Sequence, residues 1–343
     1  MNLADLNKVA RAMVAPGKGL LAADESTGTI KKRFDAINVA STEETRRDYR
    51  AMLFRSTEAM TRYISGVILY DETIWQDARD GTPLIKLIEQ SGAIPGIKVD
   101  EGTQALPNCP GELITAGLDK LAERLTKYYE HGARFAKWRA VIDIGGGAIP
   151  SMTAIHVNAH ALARYAALCQ AAQIVPIVEP EVLMDGDHDI DRCHEVTQRV
   201  LNKTFQELRV QRVALEGMVL KPNMVVAGKK SPRQASVAEV AEKTIRLLKA
   251  CVPAAVPGIA FLSGGQSDED ATAHLDAMNK TRGLPWPLTF SYGRALQAAP
   301  QQAWLGRSEN LTAGQRAFTH RARMNSLASQ GEWNAGLESK KAA

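Results

Sequence analysis

Cysteine is scarce and scattered: Cys109, Cys169, Cys193 and Cys251 are the four in 343 residues. No two form a C-x-x-C pair, which removes the usual redox and zinc motifs. Four dispersed thiols in a chain this long read as core residues of a protein kept in a reducing compartment, not as a disulfide framework. Long apolar runs are also missing. No stretch approaches the ~18 residues of a membrane helix. The opening Met-Asn-Leu-Ala-Asp-Leu-Asn-Lys lacks the apolar centre of a secretory signal. A soluble, cytoplasmic protein with no membrane partner is expected. Excess charge is absent as well, because 42 Lys plus Arg against 38 Asp plus Glu leave a net charge of +4. That balance gives no reason to expect nucleic acid as a partner. Small anions stay open, since they need local rather than global positive charge.

Metal motifs are equally thin. His156 and His160 lie four apart and share a helix face, but they lack the Glu of H-E-x-x-H. A surface or packing role is expected for them. The run Asp185-Gly-Asp-His-Asp-Ile-Asp191 resembles a calcium loop, yet it lacks glycine at the sixth position and glutamate at the twelfth. Aspartates gathering at a helix start explain it better. Neither a metal nor a cofactor is expected.

What the chain does have is regular alternation. Short apolar runs predict strands at Gly19–Ala23, Ile64–Tyr70, Ile94–Val99, Ala133–Trp138, Ile174–Val178, Ala214–Leu220, Gly258–Leu262 and Leu288–Tyr292. Helical signals fill the gaps. Ser41 with Glu44 reads as a capping box, and Leu118–Glu130 carries apolar residues at helical spacing before Gly132. Ser151–Gln170, His188–Leu208, Ser236–Cys251 and Ser267–Lys280 follow in the same manner. Eight βα units without a break in composition predict one (β/α)8 TIM barrel spanning residues 1–343. The polar stretch Gly331–Ala343 is expected to form a mobile tail.

In such a barrel the chemistry sits at the C-terminal strand ends. There the sequence places Asp24, Asp71 with Glu72, Lys98 with Asp100, Lys137 with Arg139, Glu179 with Glu181, Lys221, Ser263, and Ser291 with Arg294. Lysines directly after the apolar runs Arg-Phe-Ala-Lys137 and Met-Val-Leu-Lys221 stand out, because buried lysine is rare unless paired or used. Lys137 and Lys221 belong to alternate strands and can share a layer across the mouth, with Glu179 nearby. A second ammonium plus burial depresses a lysine pKa and yields an amine able to attack a carbonyl. A plain Lys–Glu ion pair closing the barrel mouth explains the same spacing.

The loops after the last two strands, Ser263-Gly264-Gly265-Gln266 and Ser291-Tyr292-Gly293-Arg294, occupy the usual phosphate position of the fold. Adjacent glycines bring N–H groups around phosphate oxygens, and Arg294 supplies a bidentate cation. Two tight turns using glycine for backbone freedom are the simpler alternative.

Six segments together resemble class I fructose-1,6-bisphosphate aldolases: Val14-Ala-Pro-Gly-Lys-Gly-Leu-Leu-Ala-Ala-Asp24-Glu-Ser-Thr-Gly28, Phe135-Ala-Lys137-Trp-Arg139, Val178-Glu-Pro-Glu181, Glu216-Gly-Met-Val-Leu-Lys221-Pro-Asn-Met, Phe261-Leu-Ser-Gly-Gly-Gln266 and Phe290-Ser-Tyr-Gly-Arg294. The resemblance runs in order from about residue 8 to about residue 330. It implies a Schiff-base lysine at Lys221, an acid–base glutamate at Glu179, and an aspartate near the substrate C4 hydroxyl at Asp24. Lys137 and Glu181 stand as the supporting lysine and carboxylate. Ser263, Gly264, Gly265, Gly293 and Arg294 match the ketose C1-phosphate site, and Ser26, Lys98, Arg139 and Arg33 the other phosphate. The family also implies a homotetramer and a phosphorylated sugar substrate, either fructose 1,6-bisphosphate or another ketose phosphate such as fructose 1-phosphate or sedoheptulose 1,7-bisphosphate. A non-catalytic sugar-phosphate scaffold would be expected to have lost Lys221, Glu179 or Asp24, and all three are present.

The chain departs from the family pattern in places. Family members often end in a tyrosine that assists enamine protonation, whereas the last tyrosine here is Tyr292. Thr29 stands where serine is common, and the loop Gly145-Gly-Gly147 differs.

Overall fold

The structure, a computed structural model, describes residues 2–146 and 148–339. Gly147 of the unusual loop and the last four residues of the expected tail therefore lie outside the described residues. The chain runs through β1 (Gly19–Ala23), β2 (Ile64–Leu69) and β3 (Ile94–Lys98), then a small hairpin of β4 (Thr103–Ala105) and β5 (Leu113–Thr115). It continues through β6 (Phe135–Ile142), β7 (Val175–Val182), β8 (Val219–Leu220), β9 (Ile259–Phe261) and β10 (Leu288–Tyr292). Eight of these strands, all but the hairpin, pair in parallel and close in the order β1-β10-β9-β8-β7-β6-β3-β2. With helices between them this is the (β/α)8 TIM barrel that the alternation predicts.

The N-caps follow the sequence chemistry. Ser26, Ser151, Asp189, Ser236 and Ser267 each accept a hydrogen bond from the backbone N–H three residues on. Each such cap is worth about 1 kcal/mol. The expected capping box is displaced by one residue, because Thr42 with Thr45 forms it and Ser41 with Glu44 does not. The helix expected from Leu118 begins at Leu121, since Lys120 sits at φ +53° and cannot belong to it.

Barrel geometry decides where charge ends up. Leu20, Ile68, Phe135, Val175, Ile177, Val219 and Ala260 fill the lower interior, and Leu6, Ala10 and Met13 of the first helix join the same cluster. Period-two alternation carries that inward face upward. Above Phe135 come Lys137 and Arg139, above Val175 and Ile177 come Glu179 and Glu181, and above Val219 comes Lys221. Trp138 faces outward and stacks on Tyr165 with ring centroids 5.6 Å apart.

Three boundaries differ from the sequence reading. β6 and β7 run past Trp138 and Val178 to Ile142 and Val182, so Arg139, Glu179 and Glu181 lie within strands. The ladder persists there because Arg139 stands opposite Glu179 in register and its Nε donates to Glu181, so the inward charges are neutralised in place. The expected strand Ala214–Leu220 is instead a 3₁₀ turn at Leu215–Gly217 followed by the two-residue β8. The stretch after Gly331 is tied down as far as it is described. Trp333 N donates to Asp276 at 2.9 Å, and Arg321 holds Glu338 at 2.6 Å.

Candidate active site

The barrel mouth opens into a cavity of about 610 Å³. At its floor four charged side chains, all nearly buried, come together. Lys221 follows β8, and its backbone N donates to Val178 O at 2.8 Å, which locks the residue to β7. Its Nζ lies 3.2 Å from Glu179 Oε1. Lys137 Nζ stands 3.5 Å from Glu179 Oε2 and donates to Asp24 at the end of β1. Glu179 therefore bridges two lysines, and Asp24 engages one of them.

The two lysines are pushed in opposite directions. Burial disfavours charge on Lys137, but Asp24 and Glu179 outweigh it and hold that ammonium well above the ordinary lysine range. For Lys221 burial wins: it lowers the pKa, Glu179 opposes, and the neighbouring Lys137 ammonium adds to the lowering. Burial would likewise raise Asp24, yet Lys137 and Lys221 hold its carboxyl at about 2.

That last value has a measurable consequence. Asp24 titrates at 3.8 unfolded and about 2 folded, so its ionised form contributes about 2 kcal/mol of stability at neutral pH. A depressed carboxylate stabilises fully above its unfolded pKa and loses the contribution as pH falls from about 5 toward 2. Urea midpoints measured across that window should fall less steeply with acid in Asp24→Asn than in the wild type. Parallel acid limbs would show that Asp24 is not held this way.

Two corners lined with cations and glycine backbone flank the cluster. On one side Ser263, Gly264 and Gly265 follow β9 and line the cavity, with the glycines at φ +54° and +86°, a conformation that favours glycine. Gly293 and Arg294 open the helix Arg294–Trp304 beside them, adding a positive helix end to a guanidinium. On the other side Ser26 caps the helix Thr27–Asp35, and its hydroxyl meets Thr29 Oγ1 at 3.1 Å. The serine-to-threonine change thus keeps a hydroxyl in place. Lys98 and Arg139 line the same cavity. Lys98 is held by Asp100 at 2.7 Å, and Arg139 by Glu181. Among the described residues Glu181 pairs with Arg139 and with neither of the two lysines.

Arg33 also lines the cavity. Its guanidinium lies 3.7 Å from the point a Cβ on Gly293 would occupy and donates to buried Glu25. Asp71 and Glu72 turn to structural partners. Asp71 accepts from the Tyr128 hydroxyl at 2.7 Å, and Glu72 holds Arg46. Sequence reasoning missed Lys32, Asp185 and Lys229, which also line the cavity. Nothing local marks them: Lys32 is one of several polar residues of the helix Thr27–Asp35, and Asp185 and Lys229 sit in polar loops. His156 and His160 both face Glu207, at 3.4 and 3.1 Å, on the surface. Among the described residues no group of three or more His, Cys, Asp or Glu converges as a metal site. Asp189 caps the helix Ile190–Val210 and Asp191 lies in its first turn, as the aspartate-rich run suggested.

A TIM barrel whose mouth holds a buried lysine–carboxylate floor between two cation-lined corners is the architecture of an enzyme. The family model "Fructose-bisphosphate aldolase class-I" matches residues 5–343. A probable class 1 fructose-bisphosphate aldolase of Xanthomonas campestris is 55% identical over 97% of this chain and 99% of its own length. Fructose-bisphosphate aldolase 1 of Toxoplasma gondii is 54% identical over 97% and 92%. A solved structure of the Plasmodium falciparum aldolase aligns with a TM-score of 0.96 and 47% identity, covering 97% of this chain and 96% of that one. The chain belongs to the class I fructose-bisphosphate aldolase family, and it is accordingly a lyase.

Proposed function

We propose that Lys221 cleaves fructose 1,6-bisphosphate through a covalent imine. The observation that carries this is the pair of buried lysines sharing Glu179, one stabilised as ammonium and the other shifted toward the free amine. Neutral Lys221 attacks the ketose carbonyl, and Glu179 moves the protons that turn carbinolamine into iminium and water. The iminium draws the electrons of the C3–C4 bond as Asp24 takes the C4 hydroxyl proton, and glyceraldehyde 3-phosphate leaves. The resulting enamine is protonated, and water returns Lys221 with release of dihydroxyacetone phosphate. Lys137 remains charged and supports the negative charge that develops beside the imine. Ser263, Gly264, Gly265, Gly293 and Arg294 hold the C1 phosphate. Ser26, Lys98, Arg33 and Arg139, the last oriented by Glu181, take the other phosphate.

Family membership supports a homotetramer, a cytoplasmic location and a chain working as one domain. Light scattering at micromolar concentration should then give the mass of four chains. The mechanism is tested by incubating the protein with fructose 1,6-bisphosphate, borohydride and EDTA, then mapping adducts by peptide mass spectrometry. A triose-phosphate adduct on Lys221, with activity lost in proportion, is the expected result. Cleavage that EDTA abolishes, with no adduct, overturns it.

A further inference from the structure

The rim of the Ser263–Gly265 corner carries a cation that the proposed mechanism leaves unused. The loop after Lys221 is zipped by its main chain onto the segment following β7. Gly228 N donates to His188 O at 2.8 Å, Lys229 N to Met184 O at 2.7 Å, and Lys230 N to Gly186 O at 2.9 Å. A Cβ on Gly228 would lie 2.2 Å from Gly186 O, so glycine permits this close approach. Held there, the Lys229 stem leans over the double glycine. A methyl group on Gly265 would stand 2.6 Å from Lys229 Nζ and 2.9 Å from Arg294 Nη2. Two cations therefore flank one point above a glycine that lines the cavity.

We propose that Lys229 is a second cation for the phosphate held at this corner, and that Asp185 is a competing carboxylate that gives the lysine up when phosphate arrives. Lys229 Nζ bonds Asp185 Oδ1 at 2.7 Å. The Asp185 side chain is 63% exposed, so water solvates it once the pair opens, and the exchange costs little. A phosphate monoester carries a charge of about −1.5 to −2 at neutral pH, more than Arg294 alone matches. The other nearby guanidinium, Arg33, is already engaged by buried Glu25. Lys229 makes its contact away from the bonds that break, so its energy goes equally to ground and transition states and appears in KM rather than kcat. This inference rests on the reading of the mouth as a ketose-phosphate site.

Titration calorimetry with inorganic phosphate tests it without relying on turnover. Lys229→Met should weaken phosphate binding about tenfold, Lys229→Arg should restore it to within about threefold, and Asp185→Asn should tighten it about threefold. With fructose 1,6-bisphosphate, KM of Lys229→Met should rise by a similar factor while kcat stays within about twofold. Equal phosphate affinity in the wild type and Lys229→Met overturns the proposal. So does a Lys229→Met enzyme that loses kcat with KM and phosphate affinity unchanged, since that marks a structural role. If borohydride leaves Lys221 unlabelled the imine reading fails, yet the phosphate titration still decides the role of Lys229.

Discussion

Lys221→Met is expected to lower kcat/KM for fructose 1,6-bisphosphate at least ~10⁴-fold and to abolish borohydride labelling, because the covalent route disappears with the amine. No neighbour takes its place. Lys137 reaches the same Glu179, at 3.5 Å, but its ammonium is fixed by Asp24 and has no lone pair to attack with. Lys221→Arg separates nucleophile from ion pair. A guanidinium keeps the positive charge beside Glu179 yet stays protonated and cannot form the imine. If Lys221 acts as nucleophile, the Arg variant should be as inactive as the Met variant while both keep the wild-type circular dichroism spectrum. If Lys221 merely closes the barrel mouth as an ion pair, the Arg variant should retain activity within about tenfold of wild type, and the imine reading falls.

How far the sequence discloses this arrangement depends on which interactions are local. Runs such as Gly19–Ala23 and Leu288–Tyr292 coincide with β1 and β10, because strands buried on both faces announce themselves by unbroken apolar composition. Extension of β6 through Arg139 and of β7 through Glu179 and Glu181 is invisible to that signal. Those charges are tolerated in the barrel by pairing with partners some forty residues distant, and no local pattern encodes such a pair. The same holds at β8. A long apolar run at Ala214–Leu220 shortens to two paired residues because the chain turns at Leu215–Gly217 before entering the barrel.

The candidate site is legible wherever motif and strand end coincide, as at Lys221, Glu179 and Asp24, which the fold brings together. Their relative electrostatics were half legible. Burial and a neighbouring ammonium foretell the lowered Lys221, but the opposite fate of Lys137 depends on Asp24, which lies 113 residues earlier in the chain. Lys229 and Asp185 escaped because each sits in a polar loop, where charge is ordinary. Their meeting is set by main-chain bonds between two loops that carry no side-chain signature.

Lys137→Met should have the largest effect on stability. It removes the ammonium that donates to Asp24 and leaves Asp24 and Glu179, both nearly buried, with Lys221 as the remaining cation of the cluster. Breaking a buried pair from one side costs about 3–5 kcal/mol, which lowers the melting temperature of a chain this long by roughly 4–7 °C. Asp24→Asn with Lys137→Met in one chain removes both charges, so the double variant should be more stable than Lys137→Met alone. Activity should stay about 10²–10⁴-fold down in both. The pH dependence supplies an independent sign. Lys137 lowers the pKa of Lys221, so without it the Lys221 ammonium persists to higher pH and less free amine is present at neutrality. The acid limb of borohydride labelling should therefore move to higher pH in Lys137→Met. A limb that stays in place, with stability unchanged, would mean that the two lysines do not sense each other across Glu179, and the division of labour between them would have to be abandoned.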